Sequence, residues 1–374
     1  MNNLRDRLKK ISSEKKDAPK PEPPKSKPCE SMTGEREAPD LSALLPEILT
    51  LMGGEGFSDL CLDPEDFVFI DTETTGLSGG VGTIAFEIGI GEIIGEKFVV
   101  TQLWMRDYDE EEDMLAQFAS KMRGRKAIVS FNGKSFDLPL LIARCRMNRI
   151  PVFFEDLPHM DLLYPARRLY KLRLKQCNLT HMEETVLGLH RKNDIPGSEI
   201  PALWYQFLKD RDDSKLKQVF SHNFEDVYTM GKLFRVLYDA HSSPTQQTHQ
   251  EDLFSMARIY DKAGDSVQAE RCYVSVNRGS LKVEAGRALT RIYRKSGRIE
   301  DMETLLSDMV SKETGGIFPY VELAKLYEHR LHDNRKALYY TDEAIKRTMQ
   351  YLELQELTVR RKRLFDKINR KENP

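Results

Sequence analysis

A wholly apolar run, Phe67-Val68-Phe69-Ile70, passes without any turn signal into Asp71-Thr72-Glu73 and closes on Thr75-Gly76. Four bulky residues with no polar alternation describe a buried strand. Residues two apart on a strand point to the same face, so the carboxylates of Asp71 and Glu73 share one side at the strand's end. Two like charges held together repel and resist desolvation. A solvated polar turn is the plain reading of such an end. A cation seated between the two acids is the chemical one.

The surrounding pattern sets the fold class. Residues 67–70, 84–93, 98–105 and 127–132 are short, β-branched or aromatic, and punctuated by glycine. Residues 110–122 have helical spacing, with Met114, Leu115, Phe118 and Met122 on one face, and 138–150 share it. Three strands, helix, strand, helix is an α/β order, and the short turns between the first strands make them antiparallel. Residues 1–38 are rich in Lys and Pro and are expected to be a disordered tail. Residues 39–65 form a lead-in segment.

From about residue 245 the chain reads as pure helix, and a repeat emerges. Tyr260, Tyr293 and Tyr327 stand 33 and 34 residues apart, and Gly264 and Gly297 repeat at 33. A period near 34 with an aromatic and a glycine turn is that of tetratricopeptide-like helix pairs, although the Trp and Pro of the full consensus are missing. A plain helical bundle is the alternative. A repeat that only recruits partners is dispensable for any chemistry upstream.

Composition narrows the function. The 374 residues are 40% hydrophobic and 31% charged, with a net charge of −2. That length holds two domains with real cores. The near-neutral charge gives no global attraction to nucleic acid or an anionic membrane, so a polyanion site must be a local basic patch or metal-assisted. No apolar run is long enough for a transmembrane helix, and the first residues lack the apolar stretch of a signal peptide. The five cysteines are scattered without a CxxC pair. Disulfides and a cysteine zinc site are not expected, and a reducing cytoplasm fits.

Two further acidic groups follow the first. In "SFNGKSFDLPLL" a strand ends at Asn132 and Asp137 opens a helix, where an acid is often only a cap. In "FSHNFEDVYTMGKLF" the apolar spacing gives a helix on which His222 and Asp226 are i, i+4 neighbours, a surface pair on the plain reading. Together, acids at strand and helix ends of one α/β domain, joined by a histidine, meet the needs of a divalent-metal site. Mg2+ and Mn2+ take hard oxygen ligands, and two ions need several converging carboxylates. A histidine titrating near neutrality can take a proton from water.

At these residues the chain resembles a known family. "DTETTG", "NGKSFDLPLL" and "HNFED" are similar to the three motifs of the DEDD, or DnaQ-like, 3′–5′ exonucleases of the ribonuclease-H-like fold. The second motif resembles that of family B polymerase proofreading domains. Residues 172–208 resemble the bacterial YprB-type group, a ribonuclease-H-like domain followed by tetratricopeptide-like helices. The resemblance implies an α/β ribonuclease-H-like mixed sheet flanked by helices over residues 66–242, with an all-α tetratricopeptide-like domain over 250–370. It implies that Asp71, Glu73, Asp137 and Asp226 hold two Mg2+ or Mn2+ ions, and that His222 is the general base or orients the water. Thr74 and Asn132 fall where relatives touch the terminal nucleotide. One subtype places His with four residues before the last Asp, and the other Tyr with three; this chain has His with three.

Two other stretches bear on function. "GLSGGVGT" (76–83) is glycine-rich after a strand but lacks the GK[ST] ending of a phosphate loop, so a flexible loop beside the acids is expected. "RRLYKLRLK" gathers Arg167, Arg168, Lys171, Arg173 and Lys175 around Tyr170. This is either a solvated helix face or a strip that steers a single nucleic-acid strand. The expected function is 3′–5′ exonucleolytic hydrolysis of single-stranded DNA or RNA. The alternative is a non-catalytic nucleic-acid-binding scaffold, with a protein partner on the helical repeat.

Overall fold

The computed structural model describes residues 27–76, 82–191 and 194–372. Six strands form one sheet: β1 (Glu30–Glu37), β2 (Phe67–Thr74), β3 (Ala85–Ile94), β4 (Lys97–Trp104), β5 (Ala127–Ser130) and β6 (His159–Asp161), in the order β1-β4-β3-β2-β5-β6. The first four are mutually antiparallel, while β2–β5 and β5–β6 pair in parallel. The sheet is therefore mixed, with β2 between its antiparallel and parallel halves.

Residue alternation along β2 decides what each face holds. Phe67 and Phe69 face a core that includes Val227, Met230, Leu233 and Phe234 of a long helix, α6 (Leu216–Ser242). Val68 and Ile70 face the opposite core, built with α2 (Glu111–Lys121), α3 (Asp137–Met147) and α5 (Ile200–Asp210). Burying each of the two phenylalanines contributes on the order of 2–3 kcal/mol. The same alternation sends Asp71 and Glu73 to the α6 side and Thr72 to the α3 side. Helix α6 can sit low on the sheet because β3 carries glycine beneath it. A Cβ on Gly91 would lie 2.7 Å from Val227, and one on Gly89 would collide with Asn223.

The tail reading needs correction over part of its length. Residues 30–37 form β1, an edge strand in full register with β4. Its charged residues hid it: Glu35 pairs with Lys97, and Arg36 pairs with Glu225 while lying over the rings of Phe224 and Tyr228. Charged side chains are common on edge strands because they discourage further pairing. Residues 1–26 of the expected tail, and 77–81 of the glycine-rich loop, lie outside the described residues. The lead-in segment contributes helix α1 (Pro46–Gly53), whose Leu49 and Met52 join the core.

Among the described residues seven α-helices follow the sheet domain: α7 (Gln250–Ala263), α8 (Ser266–Ser275), α9 (Gly279–Ser296), α10 (Ile299–Ser311), α11 (Phe318–His329), α12 (Asn334–Arg347) and α13 (Tyr351–Glu372). The periodic residues have a physical role. Gly264 and Gly297 end α7 and α9 in the left-handed conformation, at φ +88° and +72°. Tyr260, Tyr293 and Tyr327 are each buried. This region does not hang on a tether. Leu253, Met256 and Tyr260 of α7 share one core with Leu169 and Tyr170 of α4 (Leu163–Leu174) and Leu237 of α6. Arg173 Nε donates to Asp252 Oδ2 at 2.8 Å, and Tyr260 Oη donates to the His241 carbonyl. The helical region thus shares its core and polar contacts with the sheet domain.

Candidate active site

Three segments bring acids to the end of β2. The strand itself supplies Asp71 and Glu73, and a register shift between Glu73 and Thr74 ends its regular pairing with β3. The segment after β5 supplies Asp137, the first residue of α3. Asn132 there takes a left-handed conformation at φ +70°, which asparagine tolerates better than most residues. At Gly133 a side chain would crowd Ser130 and stand 3.1 Å from Asp137 Oδ2, so glycine lets the loop fold tightly against the acid. The carboxylate of Asp137 accepts a hydrogen bond from Thr72 Oγ1 of β2. Its position at the helix start is thus coupled to the strand, which the cap reading does not require.

Helix α6 supplies the third segment, with His222, Asn223 and Asp226 within two turns. Asn223 is fully buried and donates through Nδ2 to Asp71 Oδ2 at 2.9 Å. Its Oδ1 lies 3.3 Å from Gln102 Nε2, which also donates at 2.7 Å to Glu87 Oε1. Glu87 sits directly across from Glu73 in the β2–β3 register. It is a fifth carboxylate beneath the four expected ones.

The charges act on one another. Asp71 is pushed well above the usual carboxylate range by burial, then by the charges of Asp226, Asp137 and Glu87, with Asn223 opposing. Glu73 is raised likewise, by burial and then by Asp71, Glu87, Asp226 and Asp137. Burial lifts Glu87 to about 8 and Asp137 to about 6, the latter against its hydrogen bond from Thr72. The four acids named from sequence therefore occupy one electrostatic site.

Asp226 already has a partner. The Arg191 guanidinium bonds both Asp226 Oδ1 and the buried Glu183, and stands 3.4 Å from Asp194 Oδ2. Asp194 in turn bonds His222 Nδ1 at 2.7 Å, and His222 Nε2 lies 3.6 Å from Asp226 Oδ2. The i, i+4 spacing thus does place His222 against Asp226, with a second carboxylate fixing the ring. Among the described residues no three His, Cys, Asp or Glu side chains stand in a metal-ligating arrangement. The donor set nevertheless fits a hard divalent cation: it is all oxygen, half-buried and mutually repelling. Arg191, Asn223 and Thr72 engage Asp226, Asp71 and Asp137.

The remaining expected residues divide. Thr74 Oγ1 donates to the Gly76 carbonyl at 2.8 Å. The Asn132 amide donates at 2.7 Å to Asp161 Oδ1, and Lys134 N donates to the same carboxylate. Asp161, at the end of β6, thereby ties down the Asn132 loop. Arg167 and Lys171 are exposed on α4. Arg168 instead donates to the carbonyls of Leu51 and Met52 at the end of α1, so it serves packing. Sequence reasoning missed Arg191, Asp194, Asn223, Glu87 and Asp161. Two had a visible signal. Glu87 is a lone acid in the apolar run 84–90, and Asn223 lies three residues before Asp226 on the same helical face. The others come from loops or a three-residue strand with no periodicity to read.

A mixed sheet with long antiparallel strands first, then short parallel ones, and acids gathered at the end of the central strand has a match among known families. Residues 68–238 match the family model described as the RNase_H superfamily. The fold over these residues is RNase H-like. The domain's relatives include the Bacillus subtilis (strain 168) protein named "Uncharacterized protein YprB", 28% identical over 320 residues, which cover 80% of this chain and 75% of that protein. Among solved structures, the family B DNA polymerase of the hyperthermophilic archaeon Pyrobaculum calidifontis is similar over 59% of this chain, at 14% identity and a TM-score of 0.35. The chain spans 28% of that polymerase's length. No described helix is long and apolar enough to cross a membrane.

Proposed function

We propose that the RNase_H superfamily domain is a metal-dependent 3′–5′ exonuclease that hydrolyses phosphodiester bonds of single-stranded DNA or RNA. The observation that carries this reading is the convergence of Asp71, Glu73, Asp137 and Asp226, from three separate segments, into one mutually repelling acidic site. Two Mg2+ or Mn2+ ions held by these four carboxylates would activate a water and stabilise the leaving oxygen. Asp194 orients His222 through Nδ1, leaving Nε2 on the Asp226 side to take a proton. Thr74 and Asn132 sit beside the acids, where the terminal nucleotide would rest.

The Arg191–Asp226 pair supports a second reading, in which the site binds strand ends without cutting. A guanidinium that already neutralises Asp226 gives the acids a counter-charge of their own. One experiment separates the two. Purified chain is incubated with 5′-labelled single-stranded DNA and RNA with and without Mg2+ or Mn2+, beside Asp71→Ala. The exonuclease reading expects a ladder shortening from the 3′ end, absent in the variant and absent without metal. Binding with no shortening in any lane supports the scaffold. Equal shortening by wild type and Asp71→Ala refutes the exonuclease assignment.

A further inference from the structure

Two cavities meet on the face that joins the sheet domain to the helical region. One, of about 500 Å³, includes Asn132, Phe131 and Lys175, and the other, of about 1120 Å³, includes Arg258 and Lys262 of α7. Arg167 and Lys171 of α4 line both. Asn132 lines the smaller cavity, and the adjoining Gly133 packs close to Asp137. The two cavities therefore join across α4, from the Asn132 turn onto the helical region.

Its charge is patterned. Arg167 and Lys171 are i, i+4 on α4, Arg258 and Lys262 are i, i+4 on α7, and Arg287 and Arg291 repeat the spacing on α9. Each pair shares one helical face. The pair on α9 is engaged: Arg291 bonds Asp261, and Arg287 stands 3.6 Å from Glu284. Those contacts also occupy two of the cleft's four acids, leaving Glu47 and Glu55. By contrast Arg167, Lys171, Lys175, Arg258 and Lys262 have no ion-pair partner among the described residues. Most of the described arginines are paired, so five adjoining cations without an ion-pair partner make a net positive surface, offset only by Glu47 and Glu55. A polyanion complements that charge, and a single strand whose end lies at the acids would do so along its backbone.

We infer that the helical region forms the far half of a nucleic-acid groove, in which Arg258 and Lys262 bind backbone phosphates of a single strand several nucleotides from the end held at Asn132. This rests on the strand-end site proposed above and adds what that site lacks, a reason for strand length to matter. Cations spaced along two packed helices bind backbone without reading sequence.

The test is fluorescence anisotropy with 5′-fluorescein oligothymidylates of about 4 and about 16 nucleotides, lengths bracketing common single-strand sites. It is run in EDTA, which separates binding from cleavage. Wild type is compared with the double variant Arg258→Ala/Lys262→Ala, whose targets are exposed and unpaired. The 16-mer is expected to bind wild type tighter than the 4-mer, and the double variant to lose about 10-fold or more on the 16-mer only. The salt slope of log K should fall by about 1.4, from about 0.7 per phosphate contact. Unchanged 16-mer affinity and slope in the variant overturn the inference, as does a wild type that binds both lengths alike. Displacement of the 16-mer by polyglutamate of equal charge also overturns it, in favour of an acidic protein partner. A wild type that binds by length here but shortens no strand in the Mg2+ or Mn2+ assay above would leave the groove standing and remove the exonuclease.

Discussion

Glu87 shows what the candidate site costs the fold. It is fully buried, has one unpartnered oxygen, faces Glu73 across the strand pair, and is held at about 8. With Asp71 and Glu73 raised as well, the folded chain binds protons that the unfolded chain has released. A carboxylate whose folded pKa is raised stabilises the fold below its unfolded value and loses that contribution as pH rises through its folded value. His159 and His241 act oppositely, being pushed down to about 4 by burial, but their contribution changes only below 6.5. Between pH 6.5 and 8 the fold loses stability as the raised carboxylates ionise. Urea unfolding in EDTA is expected to show stability falling across that window, by on the order of 1–2 kcal/mol from Glu87 alone. Saturating Mn2+ should flatten the fall. A flat profile in EDTA would contradict the raised carboxylates.

At the scale of elements, the legible and illegible parts of the fold have different physics. The strands β2 to β5 announced themselves because both their faces are buried, so apolar runs suffice to find them. Strand β1 was invisible because an edge strand is chosen by backbone pairing and tolerates Glu and Arg. Strand β6 has three residues, below any period. The same divide runs through the site. Asp71, Glu73 and Asp137 sit at the ends of a strand and a helix, where pattern marks them. His222 and Asp226 lie inside α6 rather than at the expected helix end, and their i, i+4 spacing marks them. Arg191, Asp194 and Asp161 act through loops and long-range contacts that one-dimensional spacing does not encode. Gly89 lies between: its place in an apolar strand is plain, but its reason is the Asn223 amide lying over it.

The whole molecule is tied together by one apolar core that runs from α1 through the α6 face of the sheet into α13. Helix α7 lies on α4, so the same contact that builds the core sets the basic pairs of the two helices side by side. A chain ending near residue 245 would expose Leu169, Tyr170 and Leu237, now covered by Leu253, Met256 and Tyr260. Its thermal midpoint is expected to drop by on the order of 10 °C or more relative to the full chain. A truncated chain as stable as the full one would show that the helical region is only appended.

The central claim is that the acids at the end of β2 form a cation site, and calorimetric titration of the metal-free chain with Mn2+ tests it most directly. The account expects saturable binding to wild type that weakens at least about 10-fold in Asp71→Asn, a scale set by losses seen around metal sites. Equal binding by wild type and Asp71→Asn, or no saturable binding to either, would contradict it.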